Sequence, residues 1–205
     1  KAFEILKMNY DSLTTTSRTL AEVQSEVNKE YAKEAATISA NFTILKNENT
    51  TKQEKKRVID ELLKKYPEYL KGINLEKASV QELTNIQNTL NNSIKQGIVE
   101  RVRANKVKDL FEQQINNEAR INELQSNKSK GLSALTYTEQ ARFVEFLTLA
   151  KNDGAAAVDQ VIKGYEDDNK RLAQTVIEVQ KNFTGLINAR QSVVNSSDLD
   201  NYYNG

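Results

Sequence analysis

The chain of 205 residues contains no cysteine and no histidine, and it has one proline and seven glycines. Without cysteine or histidine it lacks disulfides, thiolate nucleophiles, the usual zinc ligands and the imidazole general base. The scarcity of proline and glycine removes most turn-forming positions, so long helices should dominate. The composition therefore predicts an all-α protein that is not an enzyme and that uses no cofactor and no metal ion.

The charges of the chain are balanced, with 29 Lys and Arg residues against 28 Asp and Glu residues and a formal net charge of +1. Such a balance produces no field that would attract a phosphate backbone or an anionic membrane. No run of residues approaches the roughly 20 apolar residues that a membrane-spanning helix needs. We therefore expect binding neither to nucleic acid nor to a membrane.

The most regular pattern lies between residues 158 and 193, where apolar residues recur at alternating steps of four and three. Such a heptad is typical of a coiled-coil helix. Its apolar members are Val158, Ile162, Tyr165, Leu172, Val176, Val179, Phe183, Leu186 and Val193. Polar residues at a positions fix register and strand number at some cost in stability. We therefore predict that Asn169 and Arg190, which occupy a positions, set the coiled-coil register.

Two longer helices are predicted, over about Ala2–Glu48 and Val80–Gln125, from apolar residues spaced mostly three or four apart. The first contains one inserted step of four between Val27 and Tyr31, a stutter that locally unwinds a supercoil. Helices of nearly equal length joined by a compact connection favour an antiparallel hairpin in which each helix covers the apolar stripe of the other. The pattern leaves open whether the stripes close within one chain or between chains, and we expect a homo-oligomer.

The connection between these helices is predicted to be a folded elbow over residues 52–79. A shorter helix from Lys52 should end at Tyr66, because the residue before a proline is pushed out of the α region. The residues after Pro67 are too apolar for a solvated linker and too irregular for a long helix. Either they plug the open end of the hairpin, which we favour, or they form a recognition knob for another protein. The candidate contact residues are Tyr66, Pro67, Tyr69, Leu70 and Ile73.

Two helix starts carry the capping-box spacing, in which a Ser or Thr is followed three residues later by Glu. Ser79 with Glu82 begins the second long helix, and Thr136 with Glu139 begins a short helix that should end near Gly154. The resulting domain prediction is a long helical hairpin over 1–127, a short helix plus the heptad helix over 128–195, and a polar tail over 196–205.

Two charged clusters are interpreted as solvated helix faces. The first contains Lys52, Lys55, Lys56, Arg57, Lys64 and Lys65, with Glu54, Asp60 and Glu61 interleaved. The fields of neighbouring opposite charges cancel beyond a Debye length of about 8 Å, so the cluster exerts little electrostatic attraction on phosphates. The run from Glu166 to Asp168 offers oxygen ligands for a hard cation, but consecutive helical residues point in different directions.

The elbow also carries a resemblance to a known family. Residues 65–73 read Lys-Tyr-Pro-Glu-Tyr-Leu-Lys-Gly-Ile, residues 76–83 read Glu-Lys-Ala-Ser-Val-Gln-Glu-Leu, and an Asn-rich stretch follows at 85–91. This pattern resembles the coiled-coil part of tail tape measure proteins of Bacteroidetes-type phages and prophages, over roughly residues 52–125. In that family a Tyr-Pro-x-Tyr-Leu-x-Gly element precedes a Ser-Val-x-Glu-Leu helix start. The glycine-rich or membrane-active stretches that such proteins often contain are missing from this chain.

The resemblance implies a structural segment that acts as a helical ruler and assembly scaffold in a virion tail, and that resides in the bacterial cytoplasm during assembly. The implied partners are tail tube or chaperone proteins. Two alternatives remain open: a helical protein-binding module of a bacterial surface or chaperone-like protein, which would grip a client with exposed apolar seams, and a linker or regulatory region of an enzyme. Because the chain opens on Lys1, we expect it to be a piece of a longer protein.

Overall fold

The computed structural model describes residues 2–142 and 153–194, with side chains over 15–141 and 153–183. Within these ranges the helices are α1 (Ala2–Lys46), α2 (Lys52–Lys65), α3 (Pro67–Leu70), α4 (Val80–Ser126), a 3-10 helix (Lys128–Ala134), α5 (Tyr137–Arg142) and α6 (Gly154–Val194). The described residues include no β-strand. The prediction of an all-α fold is confirmed, and the long helices begin and end close to the predicted residues.

The described residues form two compact units. The first, here called the hairpin unit, consists mainly of residues 21–103, and the second, the α6 unit, is drawn from 1–20 and 104–186. The predicted boundaries at 127 and 195 stay a prediction. The proposed polar tail over 196–205 and the expected continuation of the short helix over 143–152 lie outside the described residues.

The hairpin unit contains the predicted antiparallel pair of long helices within a single chain. Lys46 Nζ, near the end of α1, donates to Gln87 Oε1 near the start of α4, at 2.7 Å. Further along the pair, Arg101 on α4 forms an ion pair with Glu30 on α1. Residue numbers that rise on one helix as they fall on the other define an antiparallel arrangement. The long helical hairpin with its short helical elbow is therefore confirmed.

The elbow closes the hairpin by adding a third helix to its core. The buried cluster consists of Ile38, Phe42, Leu45, Val58, Leu62, Tyr66, Leu70, Leu75, Leu83 and Leu90, drawn from α1, α2, α3, the loop after α3, and α4. Each large apolar side chain removed from water in this way contributes roughly 1.5–3 kcal/mol. The short helices of the elbow therefore owe their stability to this packing rather than to their own length.

The turns of the elbow follow recognisable local chemistry. Thr51 caps α2 by accepting a hydrogen bond from the Glu54 amide at 3.2 Å. After α3 the chain turns at Gly72, whose φ of 81° lies in the left-handed region that glycine adopts at little cost. The predicted capping box is formed, since the Ser79 amide donates to Glu82 Oε2 at 2.6 Å and the Glu82 amide donates to Ser79 Oγ at 3.3 Å.

The α6 unit pairs the C-terminal part of α4 with α6, again antiparallel. Asn117 contacts Asn169, and Lys128, just past the end of α4, forms an ion pair with Asp159 at 2.6 Å. The shared core contains Ile121, Leu124, Leu135, Val158, Val161 and Ile162. The heptad helix predicted from the sequence is therefore present and is packed against α4.

The buried face of α6 is wider than the predicted two-position seam. Val161 and Thr175 are fully buried although neither belongs to the heptad. Thr175 is buried because α6 also meets α1, where the hydroxyl groups of Thr16 and Thr175 are hydrogen-bonded at 3.0 Å. Val161 belongs to the core that α6 shares with α4 and Leu135. A helix that contacts two neighbours buries a broader stripe than a helix in a two-stranded coil.

The entry into α6 depends on two glycines that approach each other closely. A Cβ atom placed on Gly154 would lie 3.0 Å from the Cα atom of Gly131, and Gly131 has a φ of 58°. Asp153 caps α6 by accepting hydrogen bonds from the amides of Ala155 and Ala156 at 3.0 and 3.1 Å. The heptad helix α6 therefore begins at Gly154, whereas the predicted end of the preceding short helix stays a prediction.

Replacing Leu62 with alanine tests the packing of α2 onto the hairpin. Leu62 is 0% exposed whereas its neighbour Leu63 is 37% exposed. We expect Leu62→Ala to lower the free energy of unfolding by about 2–5 kcal/mol, because it leaves a cavity in the core. The matched variant Leu63→Ala should cost less than about 1 kcal/mol. Urea unfolding followed by circular dichroism measures both, and equal losses would contradict this packing of α2.

Candidate functional site

The five candidate residues of the elbow divide between the core and the surface. Tyr66 and Leu70 are buried in the hairpin core, and Ile73 packs against it. Pro67 is exposed at the first position of α3, where its missing amide donor costs nothing. Tyr69 is 43% exposed. The two buried residues occupy positions that suit a plug, and a role for the elbow in contacting another protein stays a prediction.

The Tyr66 hydroxyl belongs to a partly buried polar cluster with Glu34 and Lys65. The sequence pattern did not reveal this cluster. The Tyr66 hydroxyl donates to Glu34 Oε2 on α1 at 2.6 Å, and Lys65 Nζ lies 2.9 Å from the same oxygen. The hydrogen bond from Tyr66, aided by Lys65, lowers the pKa of Glu34 despite the opposing effect of burial. Burial and the bond to Glu34 raise the pKa of Tyr66. The cluster ties the elbow to α1 and leaves the tyrosine protonated at neutral pH.

The exposed Tyr69 also has a structural contact. A Cβ atom placed on Gly97 of α4 would lie 3.3 Å from the Tyr69 hydroxyl oxygen. The glycine inside α4 therefore makes room for the tip of this side chain. Helix-interior glycine costs about 1 kcal/mol relative to alanine, so a close approach of this kind gives a reason for its presence.

Asn169, predicted to set the register, lies in a network between α6 and α4. Its Oδ1 accepts from Asn117 Nδ2 at 2.8 Å, and its own Nδ2 donates to Glu118 Oε1 at 2.8 Å. Its backbone carbonyl accepts from Gln114 Nε2 at 3.0 Å. These contacts specify one alignment of the two helices. The second predicted register residue, Arg190, belongs to the backbone of α6, but its side chain lies outside the described residues.

Glu139, in the first turn of α5, has a strongly shifted pKa. Arg120 of α4 donates two hydrogen bonds to the Glu139 carboxylate, from Nε to Oε1 at 2.6 Å and from Nη2 to Oε2 at 2.7 Å. Tyr165 of α6 donates to Oε1 at 2.9 Å, and the Thr136 amide donates to Oε2 at 2.8 Å. Burial alone would raise the pKa of Glu139, but these donors outweigh it and lower the pKa to about 2.

The sequence identified Glu139 as a helix cap, and the capping bond from its amide to Thr136 Oγ1 is present at 3.2 Å. It did not identify Arg120, because no local pattern links residues on different helices that are 19 positions apart. The buried Glu139 carboxylate accepts a bidentate pair of hydrogen bonds from Arg120 and a further one from Tyr165, and these bonds join α4, α5 and α6. With its proton removed and its lone pairs occupied, the carboxylate is poorly suited to acid–base chemistry and well suited to holding helices together.

The charged surface clusters are engaged locally. Arg57 pairs with Glu61 at 2.5 Å, Asp167 with Lys170 at 3.1 Å, and Asp168 with Arg171. Within the described ranges no group of three or more acidic side chains is placed to hold a metal ion. No helix in this part of the chain combines the length and apolar character needed to cross a membrane. Each of the three ion pairs joins residues one turn apart on the same helix.

These features define a fold class: an all-α chain in which apolar stripes and polar contacts pair the long helices. Comparison of the chain with protein-family models, with curated proteins and with solved structures found no match.

Replacing Asn169 with alanine tests the register network. The change leaves the side chains of Asn117 and Glu118 without this partner, so we expect a loss of about 1–2 kcal/mol in the free energy of unfolding. Asn182→Ala is the matched control on the same helix, because the Asn182 side chain is exposed and bonds only within α6 where described. Both changes gain the same helix propensity. Chemical denaturation measures the difference, and equal stabilities would contradict a role for Asn169.

The Glu139 network predicts a specific dependence of stability on pH. The pKa of Glu139 falls from 4.5 to about 2 on folding, so its contribution is full above about pH 5 and is lost as the pH falls towards 2. A shift of this size corresponds to roughly 3 kcal/mol. We expect Glu139→Gln to lose most of that stability at pH 7 and to show a smaller decline below pH 5.

Glu123→Gln provides the control for this experiment. Glu123 Oε2 lies 2.6 Å from Arg120 Nη1, but its side chain is exposed. Its removal should cost less than about 1 kcal/mol and leave the acid-dependent decline intact. Unfolding by urea between pH 7 and pH 2 gives both curves. A Glu139→Gln protein with the pH dependence of the unsubstituted chain would refute the assignment.

Proposed function

We propose that the chain is a structural coiled-coil segment of a phage tail tape measure or related minor tail protein, in which it acts as a helical ruler and assembly scaffold. In this proposal it has no catalytic role. Its partners are tail tube or chaperone proteins, and it resides in the virion tail after assembly in the bacterial cytoplasm.

The observation that supports the proposal most is the elbow itself. The Tyr-Pro-x-Tyr-Leu-x-Gly element that resembles the family is a closed reversal between long helices: Tyr66 and Leu70 enter the core, and Gly72 takes up a positive φ. The Ser-Val-x-Glu-Leu element caps the next helix through Ser79 and Glu82. The residues of the resemblance are thus those that build the turn, as expected for a structural element and not for a reactive centre.

Folding into a hairpin reduces the axial length that each residue contributes to a helical ruler. An extended helix advances about 1.5 Å per residue, whereas a hairpin covers the same axial distance twice. The 83 residues of 21–103 would span about 125 Å as one helix and about half of that or less when folded back. A segment that stays folded therefore contributes less tail length per residue than one that opens.

The ruler proposal is tested by changing the length of the segment in the phage or prophage that encodes it. We expect deletion of residues 21–103 to shorten the tail by at most about 125 Å, and duplication of the same residues to lengthen it by a similar amount. Electron microscopy of purified particles measures both. The duplication controls for damaged assembly, which does not lengthen tails. Unchanged tail lengths in both variants would refute the ruler.

A helical protein-binding module is the second candidate, and one observation favours it. Phe111 and Ile115, one turn apart on α4, are 48% and 66% exposed. Adjacent exposed apolar side chains are a common feature of protein-binding surfaces. The two candidates differ in where the chain is found, because a tail segment co-purifies with tail particles and a separate binding module does not. Mass spectrometry of purified particles distinguishes them.

A further inference from the structure

In the α6 unit, α4 presents two distinct faces. One face carries Leu110, Ile121 and Leu124, which are buried. The other carries six exposed residues at steps of four, three, four, three and four, here called the α4 stripe. Its members are Ala104, Lys108, Phe111, Ile115, Glu118 and Asn122. This is the a and d spacing of a coiled-coil seam, which lies along one side of a helix and meets a second helix.

The centre of the α4 stripe is apolar and exposed. Phe111 and Ile115 together form the largest apolar area along it, and the ends carry a lysine, a glutamate and small or polar residues. An apolar centre with a polar rim is the usual anatomy of a protein interface. The chemistry of a partner can be read from the order of these residues.

The α4 stripe is complementary to a second copy of itself that runs in the opposite direction. If a second α4 lies antiparallel with its midpoint opposite residue 113, Phe111 faces Ile115 and Lys108 faces Glu118. At the outer layer Ala104 faces Asn122. Antiparallel coiled coils pair an a residue with a d residue in each layer, and each of these layers has that composition. A parallel pairing would instead place Lys108 opposite Lys108 and Glu118 opposite Glu118, which is repulsive.

We propose that the α4 stripe is a dimerisation surface that pairs with the same stripe of a second copy of this chain, antiparallel and around a two-fold axis near residue 113. The pairing buries both aromatic–aliphatic layers and forms two equivalent Lys108–Glu118 ion pairs, as an isologous interface requires. The existing contact between Lys108 and Glu112, at 3.5 Å between exposed side chains, is weak and does not hold Lys108 away from a partner. Glu118 Oε1 accepts a hydrogen bond from Asn169 at 2.8 Å, but a carboxylate accepts several hydrogen bonds at once, so the exposed Glu118 can keep this bond while it pairs with Lys108 of the second copy.

This inference does not rest on the proposed role in a tail. It depends only on α4, so an unchanged tail length would leave it standing, and a monomeric chain would leave the ruler standing. The stripe fixes both the partner, a second copy, and the direction in which that copy lies.

The apolar layers are tested first by sedimentation velocity over a range of concentrations. We expect a monomer–dimer equilibrium, and we expect Phe111→Gln or Ile115→Gln to weaken it by about tenfold or more. Ile177→Gln is the matched control, because Ile177 is 53% exposed but lies on α6, outside the stripe. A chain that is monomeric at all concentrations, including one whose stripe binds only some other protein, would overturn the proposal. So would equal weakening by Ile177→Gln.

The charged layers give a second test that does not depend on hydrophobic substitutions. Lys108→Glu and Glu118→Lys should each weaken dimerisation, because each variant places like charges opposite one another in its own dimer. An equimolar mixture should restore it, because every facing pair then has opposite charges. Circular dichroism checks that both variants stay helical. Failure of the mixture to restore the dimer would contradict the Lys108–Glu118 pairing.

The orientation is tested with single cysteines, which are unique labels in a chain without cysteine. Ala104→Cys and Asn122→Cys proteins should form a mixed disulfide when combined, and neither should form one alone. Residues 104 and 122 are 18 positions apart, about 27 Å along a helix. A disulfide between two Ala104→Cys chains would show parallel pairing and overturn the proposed geometry.

Discussion

The structure depends on one constraint: a long helix with an apolar stripe cannot bury that stripe alone. The helices α1, α4 and α6 contain 45, 47 and 41 residues, and most of their stability must come from packing rather than from helix propensity. Each therefore needs a neighbour along its length, and a single chain provides one only by reversing direction. Glycine is used at both reversals, at Gly72 with its positive φ and at the close approach of Gly131 to Gly154.

Apolar packing alone does not determine how two such helices align. Sliding one helix past another by a heptad keeps apolar residues opposite apolar residues, but it would separate Asn169 from Asn117 and Glu118. Each polar group left without a partner costs about 1–3 kcal/mol if it is buried. The Glu139–Arg120 pair and the Tyr66–Glu34 bond add the same kind of selectivity at the two reversals. Fixed alignment of long helices is the property that a ruler or scaffold would use.

Sequence reasoning predicted the features that are local and missed those that join distant residues. The end of α2 just before Pro67 and the capping boxes at Ser79 and Thr136 follow from neighbouring residues, so they could be predicted. The wider buried face of α6 and the partners of Glu139, Asn169 and Tyr66 depend on which helices meet, which periodicity does not specify. The role of Gly97 beside Tyr69 is of the same kind, because a helix-interior glycine gives no indication of what approaches it.

The central claim is that α4 and α6 are antiparallel in one fixed alignment, and spin-label distances test it most directly. The chain has no cysteine, so Glu123→Cys can be paired with Lys163→Cys or with Lys181→Cys, all at exposed positions, and diluted with unlabelled chain. We expect a short distance for the 123–163 pair and one longer by roughly 15 Å or more for the 123–181 pair, since the second site lies 18 residues, about 27 Å, further along α6. Similar distances for the two pairs, or a shorter one for 123–181, would contradict this alignment.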